Sequence, residues 1–354
     1  MTNYTIGCDA HKRFSQFAVL NSKGQMHQQI RVDHEPNALY IYLSQFSEGT
    51  PVAIECVGNW YWIVDEIERA GCLPLMAHAG KAKVMMGNIN KTDKLDARGL
   101  ATLLHNGTLP TVWIPPGETR DERELPRTRM VFTRMRTRLK NRMHATLSKY
   151  NLSLNTNSDI FAVKWREELN DAIQALPPET QRCMCQEQEL LDHLGGHIHQ
   201  LEERIRACIQ ITESMQLLKT EPGVGDILAI VIEREMGSPK RFPDGTHFAS
   251  YSGTVPSVHA SGGKTRYGRM PKQCNHYLKW AFIEAANVTA RYHNHPRWRD
   301  KHVTRLYERI CRRKGHAKAV GAVARHLSEA AFWMLTKNEP YKPPVSKKVL
   351  PKPG

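Results

Sequence analysis

Residues 4–21 alternate apolar and polar side chains at a period of two and then reverse at Ser22-Lys23-Gly24. Tyr4, Ile6 and Cys8 stand against Thr5, Gly7 and Asp9, and "SQFAVLN" repeats the pattern. That period belongs to half-buried strands, and the glycine at the reversal closes them into a hairpin. Two further runs, "PVAIE" at 51–55 and "CLPLMA" at 72–77, are short and almost wholly apolar, with helical patterns at 37–46 and 59–70 beside them. A strand apolar on both faces has to be covered on both faces. The first part of the chain is therefore constrained to a mixed sheet flanked by helices.

Four acids break this apolar plan. Asp9 interrupts the first strand, Glu55 ends a later one, and Asp93 and Asp96 sit in "NKTDKLDARGLA" (90–101), three apart on one helix face. Each alone has an ordinary reading: Asp93 as a first-turn acid three residues after a capping Asn90, Asp96 as the partner of Arg98. Together they can meet at one sheet edge. Carboxylates repel one another, so a cluster of them fits a divalent cation. Two Mg2+ ions about 4 Å apart, with Mn2+ as a substitute, would clamp the attacking and leaving oxygens of a phosphodiester.

The charge points to the same polyanion. The net +15 is uneven: residues 1–110 are neutral, 111–150 carry +6, 151–220 carry −5 and 221–354 carry +14. Basic surfaces of this kind gain sequence-independent affinity for nucleic acid by releasing counterions. Residues 125–150 hold eight basic side chains and no acid. Phe132, Met135, Leu139, Met143 and Tyr150 form an apolar stripe, leaving Arg134, Arg138 and Arg142 as a ridge for a DNA or RNA backbone. The eight cysteines have no paired C-x-x-C framework and read as free thiols of a reducing compartment. No run approaches the about 18 apolar residues of a membrane span, and the N-terminus lacks a signal-peptide pattern. A soluble cytoplasmic protein without a membrane partner is expected.

Beyond the basic helix, Leu191, Leu194, Ile198, Leu201, Ile205 and Cys208 recur as a heptad seam weakened by Gly195-Gly196, which fits a dimerising coiled coil and equally a partner helix within this chain. "EPGVG" places Gly223 and Gly225 at a helix start, where backbone N–H groups can cradle a phosphate. "ASGGKTRYGR" is a small-residue loop in which Lys264, Arg266 and Arg269 can neutralise a phosphate beside Ser261. A serine hydroxyl needs activation, and His259, two residues away, reads as a surface histidine. The Pro/Lys tail reads as disordered.

"GCDAHK", "AIECVGNW" and "KTDKLDARGLA" resemble the three acidic blocks of the RuvC-like DEDD transposases of the "IS one-ten" insertion-sequence class, relatives of the pilin-gene invertases. "RFPDGTHFASYSGTVP", "SGGKTRYG" and "NHYLKWAFIEAA" are similar to their second-half motifs, with Cys274 where many members carry glycine before the asparagine. The resemblance implies an α/β RNase H-like (RuvC-like) catalytic domain over 1–150 that ends in the basic helix. A helical coiled-coil connector over 151–218, a mostly α-helical transposase domain over 219–340 and a disordered tail over 341–354 would follow. It implies Asp9, Glu55, Asp93 and Asp96 as catalytic metal ligands and Ser261 as the nucleophile of a DNA transposase or site-specific recombinase. The expected partners are element-end and target DNA, an element-encoded bridge RNA, and further copies of the chain in a dimer or tetramer. Two alternatives stand beside this reading: a hydrolytic Holliday-junction-type metal nuclease, and a non-catalytic nucleic-acid-binding protein.

Overall fold

The computed structural model describes residues 4–55, 58–87, 92–156 and 158–344. The chain forms two compact units, Met1–Pro115 and Pro116–Gly354. The basic helix expected to close the first domain thus belongs to the second unit.

In the first unit, β1 (Tyr4–Ala10) and β2 (Phe14–Asn21) pair antiparallel with Cys8 opposite Phe17. β3 (Met26–Asp33) extends the hairpin as an antiparallel edge strand. α1 (Ala38–Leu43) leads to β4 (Pro51–Glu55), which joins the other side of β1 in parallel. α2 (Trp60–Arg69) then crosses to β5 (Leu73–Ala77), parallel to β4, as parallel neighbours require. α3 (Ala79–Met86), α4 (Asp93–His105) and the short antiparallel β6 (Thr111–Val112) complete the unit. The sheet order is β3-β2-β1-β4-β5-β6.

The strand period sorts the side chains between two layers. Ile6, Cys8, Phe17, Val19, Val52 and Ile54 pack with Leu39, Leu43, Ile63 and Ile67 of α1 and α2. Each such fully buried aliphatic side chain contributes about 1.5–3 kcal/mol. The opposite face offers small residues to α4: Ala18 and Leu20 meet Ala97 and Ala101, and Ala53 meets Leu100. Gly7 permits the close approach, because a Cβ there would stand 2.1 Å from the Ala97 carbonyl oxygen.

The second unit is mostly helical: α5 (Gly117–Lys149), α6 (Arg166–Gln174), α7 (Pro178–Cys208), α8 (Glu213–Leu218), α9 (Asp226–Met236), α10 (Gly245–Tyr251), α11 (His276–Tyr292), α12 (His302–Lys314) and α13 (His316–Lys337). Its sheet, among the described residues, is the hairpin β7 (Val258–Ser261) and β8 (Lys264–Tyr267). The largest core gathers residues such as Ile232, Phe248, Phe282, Leu327 and Phe332 from α9, α10, α11 and α13.

The heptad seam has its partner within the chain. α7 runs antiparallel to α5, with Arg129 on Glu202, Phe132 beside His197 and Arg142 on Glu187. Leu191, Leu194, Ile198 and Ile205 are buried, whereas Cys208 is exposed and Ile209 takes the inward position. α7 passes through Gly195-Gly196 without a break. The seam therefore packs on α5 of the same chain, the intrachain one of the two partners that the heptad spacing allows.

The tail expected to be unstructured from residue 341 is docked at its start. The Tyr341 hydroxyl lies 3.0 Å from His326 Nε2, and its backbone N–H donates to Thr220 Oγ1 at 2.8 Å. Residues 345–354 lie outside the described residues.

Candidate metal centre

Alternation along β1 turns Ile6 and Cys8 to one layer and Gly7 and Asp9 to the other, beneath α4. β4 is in parallel register with Cys8 opposite Ile54, so Glu55 ends its strand beside Asp9 and shares its parity. Thr92 starts α4, its hydroxyl accepting the Leu95 N–H at 3.3 Å, which puts Asp93 and Asp96 in the first helical turn. Asn90, expected as the cap, lies outside the described residues. Gln29 of β3 holds this turn to the sheet by donating to the Lys94 carbonyl at 2.8 Å. Strand parity, parallel register and a capped helix thus bring Asp9 and Asp93 within ligand distance of each other, while Glu55 and Asp96 are near enough to act on Asp9 through their charge.

Their fields meet at Asp9, which is 7% exposed. Burial pushes its carboxyl above the ordinary value, His11 pulls it down, and Asp96, Asp93 and Glu55 each push it up. Among the described residues, neither Glu55 nor Asp96 has an ion-pair or hydrogen-bond partner, so Arg98 does not neutralise Asp96. Hard oxygen donors around a poorly solvated aspartate are a donor set that fits Mg2+.

Sequence reasoning passed over His11. Its Nε2 lies 3.2 Å from Asp9 Oδ2 and 3.4 Å from Asp93 Oδ1. The ligand atoms of Asp9, His11 and Asp93 all fall within 4.8 Å of one another. The signal was available as parity, since a residue two positions past Asp9 leaves the strand on the same side.

The second unit carries the other expected site residues. Ser261 and Lys264 pair at the tip of the β7–β8 hairpin, joined by Gly262 (φ 55°) and Gly263 (φ 74°). Both glycines are left-handed, as a two-residue hairpin turn of this hand requires. His259 pairs with Arg266, so Ser261, Lys264, His259 and Arg266 share one face of the ribbon. All eight strand residues are exposed, and so is Arg269. The small-residue loop expected here is therefore a hairpin that presents a serine between cations.

Gly223 (φ 86°) has a packing role: a Cβ there would stand 2.3 Å from the Ala285 carbonyl oxygen of α11. Gly225 is the exposed N-cap of α9. The acid Asp226 occupies the first turn and pairs with Lys219 at 2.7 Å, so a carboxylate already sits where a phosphate was expected. Of the arginine ridge, Arg134 and Arg138 are exposed with no partner among the described residues. Arg142 is committed to Glu187, because the acidic α7 lies alongside.

Two family models match the chain. A DEDD-type transposase model of the IS110 group covers residues 6–152, and one described as "Transposase IS116/IS110/IS902 family" covers 215–303. A probable family 20 transposase of Pseudomonas aeruginosa is 25% identical over 68% of this chain and 71% of its own length. The transposase for insertion sequence element IS1111A of Coxiella burnetii is 25% identical over 72% and 69% of the two chains. That for IS1328 of Yersinia enterocolitica is 25% identical over 70% and 74%.

Proposed function

The chain belongs to the IS116/IS110/IS902 family of transposases, and we propose that it cuts and rejoins DNA with a four-carboxylate metal site and a serine nucleophile. The observation that supports this reading best is Asp9 within ligand distance of Asp93, with the charges of Glu55 and Asp96 acting on it. The strand order, with an antiparallel hairpin continued by parallel strands, supports an RNase H-like unit.

In this reading Asp9, Glu55, Asp93 and Asp96 hold Mg2+, which when bound supplies Lewis-acid polarisation of the scissile phosphate. The Ser261 hydroxyl gives up its proton as its oxygen attacks the phosphorus; a serine–phosphate bond forms while the bond to a deoxyribose oxygen breaks and that oxygen takes up a proton, and the reverse step reseals a strand. Lys264 and Arg266 share the face of Ser261 and balance the phosphate charge. Arg134 and Arg138 bind nucleic-acid backbone, and the element-encoded bridge RNA implied by the sequence resemblance is the partner we assign to them. Joining two DNA partners requires more than one copy of the chain.

The test is a denaturing gel of end-labelled element-end DNA incubated with protein, RNA and Mg2+. A covalent protein–DNA band lost in both Ser261→Ala and Asp93→Ala is the expected result. Cleavage without an adduct, indifferent to Ser261→Ala and abolished by Asp93→Ala, would instead identify a hydrolytic nuclease. Unchanged DNA binding with no cleavage under any condition would leave a non-catalytic binding protein.

A further inference from the structure

We propose that His11 is a nitrogen ligand of the metal centre, so that the site takes its cation through an imidazole as well as carboxylates. The inference rests on the metal reading above and adds to it a residue outside the four acids.

Position is the first argument. Two ligands in adjacent positions on an ion with bonds of about 2.1 Å stand about 3 Å apart. The separations of His11 Nε2 from Asp9 Oδ2 and Asp93 Oδ1, 3.2 and 3.4 Å, match that spacing on two sides at once. One nitrogen facing one carboxylate is an ordinary hydrogen bond. Facing two carboxylates, one from a strand and one from a helix, it sits where an ion shared by both would find it.

Support around the ring is the second argument. The His11 N–H donates to the Phe14 carbonyl at 2.9 Å, and Asn59 Nδ2 donates to the His11 carbonyl at 2.9 Å. The imidazole stacks on Phe14 at 4.5 Å, and Phe14 is capped on its ring by Arg31 at 3.9 Å. A backbone pinned from two elements and a ring held against an aromatic give a fixed donor, which is how ligand histidines are held in metal sites. Coordination through Nε2 places the remaining ring hydrogen on Nδ1.

Chemistry sets the consequence. Mn2+ shares the oxygen preference of Mg2+ but stands at the start of the transition series whose affinity for nitrogen donors rises from there, so it gains more from an imidazole than Mg2+ does. Loss of His11 should therefore weaken Mn2+ more than Mg2+.

The experiment uses the full chain and Mn2+ as the probe, with affinity read from the free-ion EPR signal and ligand identity from pulsed EPR. Wild type should show coupling to a histidine nitrogen that changes on 15N-histidine labelling. His11→Ala should lose that coupling and bind Mn2+ about tenfold more weakly, the lower end of what loss of one supporting partner costs a metal site, with a smaller change for Mg2+. Mn2+ held at an Asp9-dependent site without nitrogen coupling would overturn the role of His11 and leave the acid site standing. No Mn2+ binding, or binding indifferent to Asp9→Asn, would sink both. Should His11→Ala not fold, absence of a labelled-histidine signal in wild type overturns the proposal, and its presence with the affinity ratio favouring Mn2+ supports it.

Discussion

Gly7 and Ala97 are in backbone contact: the position a Gly7 Cβ would occupy is 2.1 Å from the Ala97 carbonyl oxygen and 2.5 Å from the Ala101 nitrogen. These are main-chain atoms of α4 and have no rotamer to retreat into. Gly7→Ala should therefore lift α4 from β1, at about 1–3 kcal/mol of stability. Because Asp93 and Asp96 ride on α4, metal affinity should fall with it. Isothermal titration with Mn2+ alongside urea unfolding reads both; unchanged metal binding would mean that the helix seat does not position the acids.

Thr92 tests the same geometry from the helix end. Thr92→Ala removes the hydroxyl that accepts the Leu95 N–H and should cost about 1 kcal/mol. Thr92→Ser keeps the cap and should recover both stability and metal affinity in the same assays.

Glu235 is a buried charge in the second unit, 2% exposed. It accepts from Arg127 Nε at 2.7 Å and from Asn275 Nδ2 at 2.9 Å, joining α5 and α9 to the N-cap of α11. Glu235→Ala removes the carboxylate that both side chains donate to and should cost about 3–5 kcal/mol. Chemical denaturation checks it, and a loss below about 1 kcal/mol would mean that water replaces the pair.

His326 gives the molecule an acid-side dependence. Burial, with the nearby His302, lowers it from 6.5 to about 4, while Glu329 opposes the shift. The unfolded state then binds the extra proton first. The contribution is fully present above pH about 6.5 and is lost as pH falls toward about 4, up to about 3 kcal/mol in total. Wild type should lose more stability than His326→Asn between pH 7 and 4.5, measured by urea unfolding at each pH.

Arg134 and Arg138 are predicted to contact phosphate. The double change to Gln should reduce the slope of log affinity against log salt on duplex DNA by roughly 2, at about 0.9 for each phosphate no longer neutralised. Arg142→Gln should change the slope little, since its guanidinium is engaged by Glu187. Equal effects from all three would show that the α7 acid yields to nucleic acid.

The sheet around the site was legible because period two and apolar runs report strands directly: β1, β2, β4 and β5 fall where the pattern puts them. β3 was not, since "MHQQIRVD" is an edge strand whose outward residues are polar and whose half-buried ones are only Gln28, Ile30 and Val32. The β7–β8 hairpin hid for a related reason: with all its side chains exposed it has no hydrophobic alternation to read, only the glycine pair. Asp9 and Glu55 were legible as acids in otherwise apolar strands. His11 was not, because a histidine at a strand end breaks nothing. The overcommitted arginine ridge shows the remaining limit, as α7 and its Glu187 are 45 residues from Arg142 along the chain.

The seat of α4 has a mechanical consequence. The carboxylates of Asp93 and Asp96 at the start of that helix push against Asp9 of β1. Small-residue contact thus draws the helix in, while like charge at its start opposes that contact. A cation entering between β1 and α4 would relieve the repulsion and act as a rivet between the two, so loading the site and stiffening the unit become a single event.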